Sequence, residues 1–187
     1  MDDPCTNCKD VNLINKVKAA ANNPDVADRF MFWSDDQLLT DDLDLDKAPI
    51  VANNRGFDFF TQNSKGNKWY LRMANTMQYV QKETGLRLNW NYDSHVPQPY
   101  KKDEVLDIFS RVPYETLPGF CINTIYYGML RKPYTKTQEE MKVNFEGKSV
   151  MVPRKMKLYA GHDPTCWRMG ANLFFLGMYY NKSRFEK

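Results

Sequence analysis

No run in this sequence of 187 residues comes near the roughly 18 consecutive apolar residues that a membrane-spanning helix needs, so no membrane span is expected. Basic residues are not bunched either. The 26 Lys and Arg are spread among 23 Asp and Glu for a formal net charge of +3, and no dense basic run marks a nucleic-acid groove. The first ten residues, MDDPCTNCKD, are polar and acidic, without the basic start and apolar centre of a signal peptide. There is no internal repeat and no low-complexity tract. Cysteines number four, at Cys5, Cys8, Cys121 and Cys166. Cys5-x-x-Cys8 would suit zinc or redox chemistry, but no second Cys/His pair stands at metal spacing, and no metal or other cofactor is expected. One or two disulfides in an oxidising compartment, or free thiols, account for the cysteines instead. The acidic stretch QLLTDDLDLD, Gln37 to Asp46, lacks the glycine and the closing glutamate of a calcium loop and reads as a solvated face or loop.

What is present reads as a globular chain: 42% apolar and 26% charged residues, with aromatics at 14%, so the buried surface should lean on Phe, Tyr and Trp. Helical spacing of Leu13, Val17 and Ala20 predicts a helix over Asp10–Asn22, stopped by Asn23-Pro24. Asn53–Asn67, rich in Asn, Gly and Ser around Phe57, Phe59 and Phe60, reads as an irregular connection pinned by aromatics. Trp69, Met73, Met77 and Val80 form a helical stripe over Trp69–Thr84, with Gly85 as its stop. Val105, Ile108 and Phe109 predict a short helix over Lys102–Arg111, and Gly119–Leu130 is a further helix ended by Pro133. Met141–Pro153 then alternates around Glu146-Gly147 as a hairpin, Lys155–Gly161 is a short apolar strand, and Thr165–Tyr179 is helical by pattern. Asn181-Lys182-Ser183 is a glycosylation sequon, an acceptor if the chain is secreted.

Histidine is rare, with only His95 and His162, and His162 stands beside Asp163 between the strand and the last helix. The carboxyl end of a strand facing a helix N-terminus is where α/β sheets take ligands, because free N–H groups and the positive end of the helix dipole point there. An anion such as phosphate suits that position. A protonated His162 adds a charge-assisted donor, and Asp163, its pKa raised by bound phosphate, can hold a proton for a leaving-group oxygen. Asp163-Pro164 is equally an ordinary helix start, with Asp at the cap and Pro at the first position, and both roles can coexist.

The segment KLYAGHDPTCWRMGANLFFLGMY resembles the second signature of the histidine acid phosphatases, in which a strand delivers Tyr-x-x-His-Asp and a Thr leads into a long apolar helix. Here these are Tyr159, His162, Asp163, Thr165 and Leu176-Gly177-Met178. YVQKETGLRL (Tyr79–Leu88), YETLPGF (Tyr114–Phe120), GFCINTIYYGM (Gly119–Met129) and NCKDVNLI (Asn7–Ile14) are similar to further stretches of the family. The resemblance implies an α/β fold: one histidine-phosphatase-like domain over 1–187, with a mainly helical cap over about 1–135 and a strand-loop-helix part of the sheet over about 140–187. It implies His162 binding phosphate oxygens and Asp163 as the acid, a secreted or lysosomal location, and a phosphomonoester or other anionic small molecule as ligand. No nucleic acid and no membrane span are implied; a homo-oligomer is compatible.

The family's nucleophile, the histidine of Arg-His-Gly-x-Arg-x-Pro, has no match. NNRGFDF (Asn53–Phe59) has Arg55-Gly56 without a histidine, and His95, in DSHVPQP, has no Arg or Gly beside it and reads as a surface-loop residue. The sequence therefore reads as a cap plus a sheet half, without the nucleophile half or a leader. In the family the first strand lies beside the His-Asp strand, so Lys155–Gly161 is expected here as an unpaired apolar edge through which the chain self-associates. Two functions follow: a phosphomonoester hydrolase of which this is a truncated form, or a non-catalytic, acid-phosphatase-like secreted binding protein. A helical protein–protein module, resting on the aromatic helices, is the third reading.

Overall fold

The computed structural model describes residues 9–33, 37–145 and 157–162. The chain mixes helices with small sheets, the general α/β class expected, and divides into two compact units. The larger is made of residues 1–33 and 44–138, and the smaller of 34–43 and 139–187.

In the larger unit α1 spans Lys9–Asn22 and buries Ile14, Val17 and Ala21. That face lies one position from the stripe read in the sequence at two of its three residues. Strand β1, Arg29–Phe32, comes next in this unit. The connection read over Asn53–Asn67 contains a helix, α2 (Phe57–Asn63), which buries Phe60 and closes its last turns with Thr61 Oγ1 donating to the Phe57 carbonyl and Asn63 Nδ2 to that of Phe59. Phe60 meets Trp69 and Tyr70 edge-on at 5.4 and 5.5 Å. The expected aromatic anchoring is thus real, but it holds a helix.

Helix α3, Lys68–Thr84, buries Met73, Met77 and Val80 as its spacing predicts. Asn67 Oδ1 caps it by accepting from Trp69 and Tyr70 N–H groups at 3.0 and 3.1 Å. Gly85 ends it at φ 73°, a left-handed turn that glycine takes without strain. Helix α4, Lys102–Arg111, buries Val105, Ile108 and Phe109 as expected, and α5, Ile122–Met129, is buried from Ile122 to Gly128. Gly128 permits close approach to α3: a Cβ there would stand 2.9 Å from Val80 Cγ2.

Strand β4, Gln98–Lys101, runs antiparallel to β1. Strand β3 is Val51–Ala52, and β5, Lys136–Thr137, pairs with it in parallel. Gln98 extends this frame with its side chain. Its Oε1 accepts from Val51 N–H at 3.2 Å, and its Nε2 donates to the Val51 carbonyl at 2.7 Å. Four tyrosines, Tyr92, Tyr100, Tyr126 and Tyr127, are fully buried, which bears out the aromatic core. Each hydroxyl has an acceptor, in turn the Lys132 carbonyl, Asn123 Oδ1, Glu104 Oε2 and the Pro99 carbonyl. A buried hydroxyl without one would cost about 1–3 kcal/mol.

The smaller unit holds a three-stranded sheet ordered β2–β7–β6, with β2 at Gln37–Leu39, β6 at Lys142–Phe145 and β7 at Tyr159–His162. Short helix α6, Gln138–Met141, leads into β6. Three expectations change here. Gln37–Leu39 is a strand with Gln37 buried, so only the remainder of the acidic stretch is loop and a short 3-10 turn at Leu45–Lys47. The first arm of the expected hairpin is β6, but its partner among the described residues is β7, in parallel register from Lys142↔Tyr159 to Phe145↔His162; residues 146–156 lie outside the description. And β7 is not an edge. It is central, antiparallel to β2 on one side and parallel to β6 on the other, which removes the premise for association through unpaired β7 groups.

Candidate functional site

His162 lies on β7, the strand the sequence predicts to carry it, and is the last of its described residues, in register with Phe145 of β6. His162 and Phe145 thus stand side by side on parallel strands. The carboxyl ends of such strands are the position at which open α/β sheets receive ligands. Behind His162, Tyr159 and Ala160 are buried, and burial pushes the Tyr159 hydroxyl up to about 12. Asp163, Pro164, the helix expected over Thr165–Tyr179, the Asn181 sequon, Cys5, Cys8 and Cys166 lie outside the described residues.

The other residues weighed in the sequence have structural surroundings. His95 is exposed in the loop before β4 at φ 46°. Arg55 lies over the Phe59 ring at 4.8 Å and donates to Tyr70 Oη at 3.2 Å, so its guanidinium is engaged by aromatics. Cys121 is a buried free thiol at the head of α5. Burial pushes it well above the ordinary thiol range, which makes it unreactive and leaves at most one disulfide for the other three. Among the described residues no group of three or more His, Cys, Asp or Glu could hold a metal ion, and no helix is long and apolar enough to cross a membrane.

Among the described residues, concavities lie within the larger unit, two of which involve charged side chains. The first, about 400 Å³, is floored by Asp10 of α1, Arg72 of α3 and the loop Glu115–Gly119, with Leu71 and Leu117 at its apolar side. Asp10 Oδ2 is 3.1 Å from Arg72 Nε, an ion pair without hydrogen-bond alignment. Burial raises the Asp10 carboxyl, and the Arg72 and Lys9 charges oppose that rise. Gly119, at φ 96°, is required there, since a Cβ would stand 2.6 Å from Asp10 Oδ2. The stretches NCKDVNLI and YETLPGF thus meet across one cleft, a juxtaposition that the sequence reading did not make.

The second concavity, about 140 Å³, is lined by Arg29 of β1, Lys101 and Glu104 where β4 meets α4, Tyr126 of α5, and Lys132 and Thr135 beyond it. Glu104 is committed to one side: both its oxygens receive Lys132 Nζ at 2.7 Å, and Tyr126 Oη donates to Oε2 at 2.5 Å. Arg29 Nη1 reaches Asp46 Oδ1 at 3.1 Å, while its Nε is buried with no hydrogen-bond acceptor.

Elsewhere in the larger unit Asp93 accepts from Thr124 Oγ1 at 2.5 Å, and Thr124 Oγ1 in turn accepts from Tyr92 N–H at 2.9 Å. Burial pushes the Asp93 carboxyl up to about 6, against the pull of those hydrogen bonds, and the Asp10 charge adds a smaller upward push. Neither Asp93 nor the Arg29 pocket was singled out in the sequence, because neither belongs to a local motif. Comparison with family models, curated proteins and solved structures produced no match to this chain.

Proposed function

We propose that this chain is the cap and sheet part of an acid-phosphatase-like fold that binds phosphomonoesters at the end of β7, with His162 and Asp163 as its acid side. The observation that carries the reading is that His162 lies on the central strand of its sheet, in register with a parallel strand, with Asp-Pro following at once in the sequence. In this reading a protonated His162 donates to phosphate oxygens, and Asp163 gives its proton to the leaving alcohol. The covalent step needs a histidine in an Arg-His-Gly setting, and none of these 187 residues supplies it. The chain as given should therefore bind a phosphomonoester and not turn it over, since groups that act as a unit lose nearly all activity together. The missing motif equally favours a second reading, a non-catalytic secreted binding protein that uses the same anion pocket. A secreted or lysosomal location and a glycan at Asn181 belong to both.

Titration with phenyl phosphate, together with a p-nitrophenyl phosphate assay at acid pH, tests this. Binding without turnover, lost in His162→Ala, is the expected outcome. Failure to bind phenyl phosphate, or binding indifferent to both His162→Ala and Asp163→Asn, refutes the site. Turnover abolished by Asp163→Asn would show that another residue of the chain serves as nucleophile.

A further inference from the structure

We propose that the cleft between α1, α3 and the loop Glu115–Gly119 binds a small organic carboxylate with an apolar body, the carboxylate on the Arg72 guanidinium and the body against Leu71 and Leu117. The inference does not depend on the strand that carries His162, because every lining residue belongs to the larger unit and His162 to the smaller. The cleft is built before any ligand arrives. Asn75 Nδ2 of α3 donates to the Gly119 carbonyl at 2.9 Å, and the Cys121 N–H donates to Thr76 Oγ1 at 2.9 Å, so the far end of the loop is held on α3. At the near end the Tyr114 hydroxyl donates to Asn15 Oδ1 of α1 at 2.9 Å and accepts from Lys18 Nζ at 2.8 Å. Pockets that take small molecules are largely pre-formed in this way, and the volume of about 400 Å³ falls within their usual range of roughly 300–1,000 Å³.

The walls define the chemistry. Leu117 is 87% exposed and Leu71 45%, and both line the cleft, with Val11 and Pro118 beside them. A single exposed leucine is ordinary, but these two share one concave surface, which an apolar group would take out of water. Arg72 supplies the polar end. Asp10 Oδ2 stands 3.1 Å from its Nε, and that nitrogen is sealed from solvent. The terminal nitrogens carry no hydrogen bond among the described residues, and the side chain as a whole stays 26% exposed. A guanidinium edge with two free donors matches the two oxygens of a carboxylate. Lys9 and Lys68 line the same cleft, both exposed and without an ion pair among the described residues. With Arg72 they make three cations against the carboxylates of Asp10 and Glu115, and Asp10 is already set against Arg72 Nε. That balance favours an anion over an amine, and the two leucines favour an organic acid over an inorganic ion.

The test is calorimetric titration of the whole chain with sodium octanoate near neutral pH and at fixed ionic strength, with octanamide and acetate as controls. Octanoate should bind with millimolar or tighter affinity, and His162→Ala should bind it as the parent does. Octanamide has the body without the charge and acetate the charge without the body, so each should bind at least about tenfold more weakly. Leu117→Asp, at an exposed loop position, should weaken octanoate about tenfold or more by removing an apolar wall and adding a like charge. Lys68→Glu, also at an exposed position, should weaken it about threefold. Arg72→Lys keeps a charge beside Asp10 but loses the two-donor edge, and should weaken octanoate about tenfold. If Arg72→Lys fails to fold, Lys68→Glu carries the test of charge and Leu117→Asp that of the apolar wall. Absence of octanoate binding by the parent overturns the proposal. So does octanamide or acetate binding as tightly as octanoate, or unchanged affinity in Leu117→Asp or in Lys68→Glu. Loss of octanoate binding in His162→Ala overturns it too, since the ligand would then sit in the smaller unit.

Discussion

Replacing Asp93 by asparagine should make the protein more stable near neutral pH and less dependent on pH. The carboxyl is pushed from an ordinary 3.8 to about 6 in the folded chain, chiefly by burial. A folded-state pKa above the unfolded one means that the native protein holds more protons between those values, so stability falls as pH rises from about 4 to 6. Above pH 6 the full penalty is present, and the shift of 3.8 to about 6 sets it at roughly 3 kcal/mol. At pH 5 the same relation leaves about 1.6 kcal/mol, so acidification from pH 7 to 5 should recover about 1.3 kcal/mol from this group alone. The asparagine side chain would keep an oxygen to accept from Thr124 Oγ1, so the local hydrogen bond need not be lost. Asp10, also raised by burial, contributes the same trend in parent and variant, so the difference between the two isolates Asp93. Urea unfolding at a series of pH values from about 4 to 7 reads it directly. The Asp93→Asn advantage should be largest near pH 7 and shrink toward pH 4. Parallel pH profiles for the two proteins would refute the argument, because they would place no titrating group at Asp93.

Three further changes test the packing that holds the larger unit together. Gly128→Ala should lower stability by about 1–3 kcal/mol despite the better helix propensity of alanine, because the new methyl meets buried Val80 and Leu88 at 2.9 and 3.2 Å; a thermal melt with an unchanged or higher midpoint would contradict this. Gln98→Leu leaves the Val51 N–H without its acceptor in a buried place and should cost roughly 2–4 kcal/mol, read as a drop in the urea midpoint. Asn67→Ala removes the acceptor for two N–H groups at the start of α3 and should cost about 0.5–2 kcal/mol, whereas Asn67→Ser should restore most of that in the same melt.

The elements legible in the sequence are those whose information is local. Helices α3 and α4 carry a single apolar stripe each, and a glycine whose only role is the left-handed turn marks where α3 stops. Helix α1 was legible as a helix but not as a face. Adjacent Leu13-Ile14 and the run Ala19-Ala20-Ala21 offer two nearly equivalent stripes, and packing on α4 selects the one with Ile14 and Ala21. Helix α2 was hidden by flanking Asn, Gly and Ser residues that signal loop, although Phe57 and Phe60 already stand at helical spacing. The sheet was the hardest part, because pairing partners lie far apart in sequence. Gln37–Leu39 looks like the start of an acidic loop until Gln37 is set against Gly161 and Leu39 against Tyr159.

The same distinction separates the strand at His162 from the Arg29 pocket. The strand that carries His162 is written as a contiguous apolar run, so its place could be read off before any coordinates. The Arg29 pocket draws residues from 29 to 135, each of which alone is an ordinary surface cation, tyrosine or threonine. What makes them a pocket is a relation that no linear pattern records. Glu104 takes Lys132 and the Tyr126 hydroxyl in hydrogen bonds and also stands 3.9 Å from Lys101 Nζ. Arg29 meanwhile enters from β1 with one nitrogen toward exposed Asp46 and another buried without an acceptor.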